Sequence, residues 1–405
     1  MRSEKISFKN AEGVDLAGAL DLPPGKPRAF ALFAHCFSCS SQSHAAKRIA
    51  QALTLHGIAT LRFDFTGLGA SGGAFADSHF AANVEDLKHA ATYLAENYQA
   101  PTIFVGHSLG GAAVIAAAAD VPSVKAVVTI GAPFDPAHVL HHFGSQIDEI
   151  ERAGEAEVRI AGRTFTVRKD FLDAARGQDQ GRRLAELKRA LLVMHSPIDE
   201  IVGVENAREI FDAAKHPKSF MSLDGADHLL TNKRDGEQVA AMIASWLERY
   251  LEPLSETAID LEGTVQVRST DGKFLQDVVA GEHRFVADEP LRLGGWDAGP
   301  TPYDLLLAAL GTCTAMTIKL FAAREKIPLE NVSIGLRHDR VHGQDCQAGQ
   351  GKIERITRHV DLTGPLSDEH RALLLKVADR CPVHRTLESD LRIETVAAAP
   401  AAAAS

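Results

Sequence analysis

Three residues in the first half of the chain have the types and the order that could produce a nucleophilic serine. Ser108 lies in Gly-His-Ser-Leu-Gly, between the apolar run 102–105 and the helical run 111–119. A turn between a strand and a helix projects a serine hydroxyl from the carboxyl end of a sheet, and glycines permit the sharp turn. Because this short motif also occurs by chance, its weight depends on partners elsewhere in the sequence.

The partners that such a serine needs follow later in the chain. A hydroxyl becomes a nucleophile at neutral pH with the help of a general base, and a carboxylate orients that base. His228, in Gly-Ala-Asp-His, and Asp199, in His-Ser-Pro-Ile-Asp, each follow an apolar run of strand length. We therefore predict a triad of Ser108, Asp199 and His228, with Asp227 as the weaker rival for the acid.

The segment His-Cys-Phe-Ser at 35–38 closes the first buried apolar run. We expect the backbone N–H groups of Phe37 and Leu109 to form an oxyanion hole there. Cys36 and Cys39 also make a Cys-x-x-Cys pair in this segment, but a zinc site needs a second ligand pair, and none is evident. We favour loop cysteines near the oxyanion hole, with a redox pair as the alternative, and we predict no metal.

Three further cysteines lie in the second half of the chain, and two of them are associated with predicted helices. Cys313 falls within a long apolar helix predicted over 303–324, and Cys381 lies where a helix predicted over 367–381 ends. A buried cysteine usually packs as a small hydrophobic residue. Two helix-associated cysteines near basic residues can instead be a nucleophile and its resolving partner. The pattern alone leaves both interpretations open.

The elements that carry these residues change character near residue 254. Over 1–253, short apolar runs alternate with helical stretches, which predicts a doubly wound, mostly parallel sheet. An excursion at about 134–189 contains a hairpin pattern over 156–167 and is predicted to be a small lid. Short strands, a long helix and further strands, the last over 387–396, predict an α+β domain over 254–396. The alanine-rich tail 397–405 is predicted to be disordered.

Composition bounds the function. A chain of 405 residues with 45% hydrophobic and 24% charged residues fits two folded domains rather than a disordered protein. Its formal charge of −10 argues against a nucleic-acid partner. The start of the chain lacks the apolar core of a signal peptide, and Lys319 interrupts the apolar stretch 305–323, which favours a core helix over a membrane span. We therefore expect a cytoplasmic protein without a membrane partner.

The first half of the chain, residues 1–253, resembles the α/β-hydrolase family, in particular its small esterases, acyl-peptidases and lipases. The resemblance rests on the motif at 106–110, on Ser-Pro-x-Asp at Asp199 and on Asp-His at His228. It implies hydrolysis of small to medium acyl esters without a cofactor, with a peptidase or a thioesterase as the alternative. Cys36 stands where many relatives have glycine.

Residues 254–396 resemble the OsmC/Ohr family of thiol-dependent hydroperoxide reductases. The segments that carry the resemblance are 288–290, 294–303, the helix of Cys313, and Cys-Pro-Val-His at Cys381. The resemblance implies a homodimer formed through this domain, with Cys313 as the peroxidatic thiol and Cys381 as the resolving one. It also implies that an organic hydroperoxide is the substrate and that a dithiol, rather than a metal or flavin, is the reductant, which suggests a role in oxidative stress.

One position departs from the family pattern. Hydroperoxide-specific members carry a glutamate ten residues before the peroxidatic cysteine, where it holds an arginine against the thiolate. This chain has Tyr303 there, followed by Asp304. Asp304 is our candidate substitute for the carboxylate, and Arg284 is our candidate for the cation that activates the thiol. A non-catalytic dimerisation module is the alternative function of this half.

Overall fold

A computed structural model describes residues 2–23, 26–36, 39–144, 146–160, 163–251, 265–270, 272–342 and 352–397. The chain divides into two compact units, Met1–Ala258 and Ile259–Ser405. The predicted domain boundary between residues 253 and 254 lies outside the described residues, as does the predicted tail after residue 397.

The first unit is built on an eight-stranded sheet and a separate hairpin. Its strands are β1 (Arg2–Lys9), β2 (Asp15–Leu22), β3 (Ala29–Ala34), β4 (Ile58–Phe63), β5 (Ile103–His107), β6 (Ala126–Ile130), β7 (Glu155–Ile160), β8 (Arg163–Arg168), β9 (Ala190–His195) and β10 (Lys218–Ser222). The sheet has the order β1-β2-β4-β3-β5-β6-β9-β10, while β7 and β8 form the hairpin. β2 pairs antiparallel with both β1 and β4. From β4 onward in that order, all neighbouring strands pair in parallel. This confirms the predicted sheet.

Helices cover both faces of this sheet. They are α1 (His44–Thr54), α2 (Phe80–Asn97), α3 (Leu109–Ala117), α4 (Gln146–Ala153), α5 (Lys169–Arg176), α6 (Gln180–Ala185), α7 (Glu205–Ala213) and α8 (Lys233–Leu247). Ile49 of α1 and Ile243 of α8 belong to one buried cluster, and Leu87 of α2 and Val114 of α3 belong to another. Central strands that are buried on both faces explain the unbroken apolar runs of the sequence.

The segment between β6 and β9 is an elaborate insertion. It contains a 3₁₀ helix (Pro136–Phe143), α4, the β7–β8 hairpin, α5 and α6. Within it, the rings of Phe143 and Phe171 lie 5.5 Å apart. Phe165 of the hairpin attaches it to the segment before α2, since its ring lies 4.3 Å from that of Phe75. The hairpin predicted over 156–167 is present, and its predicted turn at 161–162 lies outside the described residues.

The second unit combines two small sheets with a long helix. Its elements are β11 (Val265–Ser269), β12 (Gln276–Ala280), β13 (His283–Ala287), α9 (Pro302–Arg324), β14 (Asn331–His342), β15 (Lys352–Thr363), α10 (Asp368–Ala378) and α11 (Pro382–Leu387). All strand pairs are antiparallel. A small core joins Ile318 of α9 to Leu374 and Val377 of α10. The predicted α+β organisation is therefore present.

The prediction of a strand over 387–396 is wrong. The helix α11 ends at Leu387, and residues 391–397 have no regular structure. Leu391 and Ile393 alternate with polar residues as a strand would, but their side chains are 58% and 86% exposed. Alternation predicts a strand only when another strand pairs with it, and no described residue of the chain does so here.

Candidate active sites

The turn that carries Ser108 is built as the motif requires. The strand β5 ends at His107, and α3 begins at Leu109, so Ser108 alone makes the turn. Its φ of 55° and ψ of −126° lie in a region that residues other than glycine rarely adopt, which marks a conformation imposed by the surrounding fold. A side chain on Gly106 or Gly110 would collide with backbone atoms, so both glycines are needed for this close packing.

The structure brings the three predicted triad residues together. The Nε2 atom of His228 lies 3.0 Å from Ser108 Oγ, and its Nδ1 atom lies 2.7 Å from Asp199 Oδ2. The backbone N–H groups of Ile201 and Val202 both donate to Asp199 Oδ1 at 2.9 Å, which leaves Oδ2 for the imidazole. These contacts connect the carboxylate, the imidazole and the hydroxyl in one line of hydrogen bonds.

Electrostatics keep the Asp199 carboxylate ionised. Burial opposes its charge, yet hydrogen bonds from His228 and from the backbone N–H groups of Val202 and Ile201 outweigh burial and lower its pKa. The rival acid Asp227 is exposed and accepts hydrogen bonds from the backbone and the hydroxyl of Thr231 instead. Asp199, and not Asp227, therefore faces the imidazole.

Two buried histidines that the sequence analysis did not select support this line. His107 Nε2 lies 2.7 Å from the carbonyl oxygen of His228, and His195 Nε2 lies 2.8 Å from the carbonyl oxygen of Val202. Burial lowers the pKa of both, and with the charge of His228 it brings the pKa of His107 to about 4. Both are neutral near pH 7 and hold the loops that present Asp199 and His228. The sequence could have pointed to both, because His107 directly precedes Ser108 and His195 begins the motif that contains Asp199.

The predicted oxyanion hole is only partly described. Leu109 is buried and opens α3, and the first N–H groups of a helix have no partner within it. In the described part of the chain, no acceptor takes the N–H of Leu109, so it is available to an oxyanion. Phe37, the other predicted donor, lies outside the described residues.

Cys36 and Cys39 lie in the loop after β3, as predicted, but a disulfide joins them, which fits the alternative of a redox pair. The N–H of Cys39 donates to the carbonyl oxygen of Cys36 at 3.2 Å, which closes a tight turn. This turn brings their Cα atoms to 5.3 Å, a separation that a disulfide spans.

The thiols of the second unit also meet. Cys381 is fully buried, and its Sγ accepts a hydrogen bond from the backbone N–H of His384 at 3.3 Å, while Cys313 is half-buried. Burial opposes the charged form of Cys381, but hydrogen bonds from His384 N–H and from the Cys313 side chain outweigh it and lower the pKa. The pair can therefore place a thiolate at Cys381 beside the thiol of Cys313.

An arginine that the sequence analysis did not select lies next to this pair. Arg358 on β15 donates from Nη1 to Thr314 Oγ1 at 2.9 Å and from Nη2 to Asp379 Oδ1 at 2.7 Å. Thr314 Oγ1 is in turn 3.7 Å from Cys381 Sγ. Arg358 is 44 residues from Thr314 in sequence, so no local motif could reveal this contact.

The two predicted activating residues occupy other places. Arg284 is exposed on β13, where it pairs with Val279 of β12, and no hydrogen bond or ion pair links its side chain to another described residue. Asp304 accepts hydrogen bonds from Thr301 in a capping box at the start of α9, which lowers its pKa. Nine residues along the helix separate it from Cys313, a rise of about 13.5 Å. Within one chain, Asp304 therefore does not reach that thiol.

Tyr303 is likewise engaged elsewhere. Its ring stacks on that of His338, with the centroids 4.5 Å apart and the planes at 13°. His338 in turn lies 2.5 Å from a carboxylate oxygen of Glu354. The position that carries a glutamate in hydroperoxide-specific relatives is thus part of a stacked aromatic contact in this chain.

Comparison with known proteins assigns both units. The profile of a family described as "Serine aminopeptidase, S33" matches residues 25–153, and that of "OsmC-like protein" matches residues 295–396. The crystal structure of the esterase domain from a Rhodothermus marinus protein is 46% identical. That alignment covers 62% of this chain and 99% of the esterase domain, with a TM-score of 0.52.

More distant relatives agree on the fold of the first unit. A monoacylglycerol lipase from Mycolicibacterium smegmatis is 24% identical over 280 residues, an alignment that covers 62% of this chain and 98% of the lipase. Est1E from Butyrivibrio proteoclasticus, solved with bound ferulic acid, is 21% identical with a TM-score of 0.50, covering 60% of this chain and 98% of Est1E. At 21% identity, the similarity to Est1E shows the fold alone.

Proposed function

The chain belongs to the α/β-hydrolase family and carries an OsmC-like domain in its second unit, and on that premise we propose that it is a serine carboxylesterase acting on small to medium acyl esters. Esterase-type hydrolase activity follows from the relatives. The observation that carries the finer proposal is the line of contacts from Ser108 Oγ through His228 to Asp199, at 3.0 and 2.7 Å.

The proposed reaction proceeds through an acyl-enzyme. Ser108 Oγ attacks the ester carbonyl carbon while His228 Nε2 accepts its proton, and the N–H groups of Leu109 and Phe37 stabilise the oxyanion. Collapse of this intermediate expels the alcohol, which takes the proton from His228. Water, deprotonated by His228, then attacks the acyl-enzyme and releases the carboxylic acid. Asp199 orients the imidazole and stabilises its charged form throughout.

The insertion between β6 and β9 is proposed to act as a lid that sets the range of substrates. Two contacts support this role. Gln180 of the insertion donates to the carbonyl oxygen of Ala112 on α3 at 2.9 Å, and His138 Nε2 lies 3.1 Å from the carbonyl oxygen of Ile201. The insertion is therefore attached both to the helix that follows Ser108 and to the loop that holds Asp199.

Matched substrates distinguish an esterase from a peptidase or a thioesterase. We would measure kcat/KM for the butyryl ester, thioester and anilide of closely similar leaving groups, with wild type and Ser108→Ala. The proposal predicts that the ester is the best substrate and that its hydrolysis depends on Ser108. A higher kcat/KM for the anilide or the thioester would replace the esterase assignment by one of the alternatives.

We propose thiol peroxidase activity as a second function, because Cys313 and Cys381 are in contact and the pKa of Cys381 is lowered. The half-buried Cys313 would give its proton to the Cys381 thiolate and attack the terminal oxygen of an organic hydroperoxide. The leaving alkoxide would take that proton from Cys381, which releases the alcohol and leaves a sulfenic acid on Cys313. The Cys381 thiolate would then attack this sulfur, releasing water and forming a disulfide. An external dithiol would reduce the disulfide by two electrons.

The contacts of Tyr303 and Asp304 favour the alternative, in which this domain only assembles the protein. The test is consumption of cumene hydroperoxide with dithiothreitol by wild type and Cys313→Ser. Consumption that Cys313→Ser abolishes would establish the second activity and show that the missing glutamate is not essential. Equal background rates in both proteins would leave an esterase attached to an assembly domain.

We also propose that the OsmC-like domain forms a homodimer. Only five of the 23 residues of α9 are buried, and Met316 and Leu320 on this helix are 63% and 73% exposed. Val265 and Val267 on β11 are also more than half exposed. Such apolar area in a single chain is typical of a surface covered by another copy.

Among the described residues, α9 is the one helix long and apolar enough to cross a membrane. It lies inside the OsmC-like match, where it packs on β14 and α10, and so its composition does not indicate a membrane protein. A cytoplasmic location remains a prediction.

A further inference from the structure

The disulfide between Cys36 and Cys39 lies beside the serine turn. Cys36 is 5% exposed, and it lines a small cavity together with Leu109 and Gly110, the two residues that follow Ser108. Cys39 is half-buried, so solvent reaches this end of the disulfide. Cys36 therefore lies beside the serine turn, while Cys39 is partly exposed to solvent.

Buried groups anchor the chain on both sides of the disulfide. Before it, Nδ1 of His35 donates to the carbonyl oxygen of Cys36 at 2.7 Å. After it, the N–H of Ser41 donates to Asp64 Oδ1 at 2.5 Å, and Arg62 donates to the carbonyl oxygen of Ser41 at 2.7 Å. Between these anchors, the disulfide and one backbone hydrogen bond connect Cys36 to Cys39. Removing the disulfide leaves this short segment with fewer restraints.

We propose that Cys36 and Cys39 form a redox-active site for dithiols that sets the rate of ester hydrolysis, with the disulfide form fast and the dithiol form slow. This inference rests on the proposed esterase function. Oxyanion donors accelerate acyl transfer when they are held in place before the reaction, and Cys36 lies in the same cavity wall as Leu109, whose N–H is the described candidate donor. A disulfide restricts the conformations of the segment that it closes.

The exchange reaction balances with an external dithiol as reductant. One thiolate of the dithiol attacks Cys39 Sγ, the S–S bond breaks, and Cys36 Sγ leaves with the electron pair and takes a proton. The second thiol of the reagent then attacks the mixed disulfide and releases Cys39. The protein gains two electrons and two protons, and the reagent becomes a cyclic disulfide. An oxidised dithiol drives the reverse reaction.

The test uses the full chain with Cys313→Ser, Cys346→Ser and Cys381→Ser, so that Cys36 and Cys39 are its only cysteines. The protein is equilibrated in graded ratios of reduced and oxidised dithiothreitol. One portion is alkylated and its mass counts free thiols, and another gives kcat and KM for p-nitrophenyl butyrate. We expect the two readouts to share one two-electron transition, with kcat falling about tenfold on reduction, less than the loss of a whole oxyanion donor, and KM changing less than twofold.

The matched control is the same chain with Cys36→Ser and Cys39→Ser in addition. It should melt close to its parent and hydrolyse at the slow rate at every ratio. Two free thiols under fully oxidising conditions, or equal kcat in both redox forms, would overturn the inference. A complete thiol transition without hydrolysis at any ratio would refute the esterase function and, with it, the control of rate.

Discussion

The Nε2 atom of His107 lies 2.7 Å from the backbone carbonyl oxygen of His228. A carbonyl oxygen only accepts, so Nε2 of His107 carries the proton and donates it. The residue immediately before the proposed nucleophile therefore holds the backbone of the proposed general base. This contact fixes the two catalytic segments relative to each other, although they are 120 residues apart in the chain.

This contact makes His107 a positioning residue that can be tested by a pair of variants. His107→Leu removes the donor, and we expect kcat to fall about tenfold or more with little change in KM, because small displacements of a catalytic group are costly. His107→Gln keeps an N–H near the position of Nε2 and should recover most of the loss. If both variants hydrolyse p-nitrophenyl butyrate equally at matched melting temperatures, His107 has no positioning role.

Buried neutral histidines predict that the first unit loses stability in weak acid. Burial lowers the pKa of His35, His107 and His195 from the ordinary value of 6.5. The unfolded chain then binds more protons than the folded one between pH 6.5 and about 4, so stability falls as the pH falls through this window. Urea midpoints of the full chain at several pH values should show this loss, with a shallower slope in His107→Gln. An unchanged midpoint would contradict the assignment.

The choice of acid is tested by two conservative substitutions. Asp199→Asn should reduce kcat by about 10³-fold or more, because the imidazole loses the carboxylate that sets its tautomer and stabilises its charge. Asp227→Asn is the matched control and should retain kcat within about threefold, since Asp227 bonds to Thr231 and not to His228. The reverse order of effects in steady-state kinetics would transfer the role to Asp227.

The assembly proposal is tested with two exposed leucines. Leu320→Asp places a charge on the exposed face of α9, and we expect it to convert the dimer to a monomer in sedimentation velocity at micromolar protein. Leu55→Asp changes a leucine of the first unit that is similarly exposed, 77% against 73%, and should leave the dimer intact. A wild-type chain that sediments as a monomer would refute the proposed homodimer.

Local patterns predicted most of what the sheet requires. The strands at Ile58–Phe63 and Ala190–His195 are among the short apolar runs that predicted the sheet, because strands buried on both faces leave unbroken apolar runs. Ser108 and Asp199 were selected because each follows such a strand, whereas His228 follows the partly exposed edge strand β10. The order of the strands along the chain and the residues at which they end can be predicted from the sequence, and these two features position the Ser108 site.

Contacts between distant segments were not predictable in the same way. The bond from His107 to the backbone of His228 and the bond from Arg358 to Thr314 each depend on how the chain packs. No periodicity or spacing encodes them. The error at 387–396 has the same origin, since alternation gives a strand pattern without saying whether another strand lies beside it.

Covalent labelling tests directly whether Ser108 is the nucleophile of ester hydrolysis. The full chain is treated with a fluorophosphonate, and its intact mass, the labelled peptide and the residual hydrolysis of p-nitrophenyl butyrate are measured together. The account predicts one adduct per chain, on the peptide that contains Ser108, with hydrolysis lost in proportion to labelling and with neither adduct nor hydrolysis in Ser108→Ala. A label on another residue, or hydrolysis at the wild-type rate in Ser108→Ala, would contradict it.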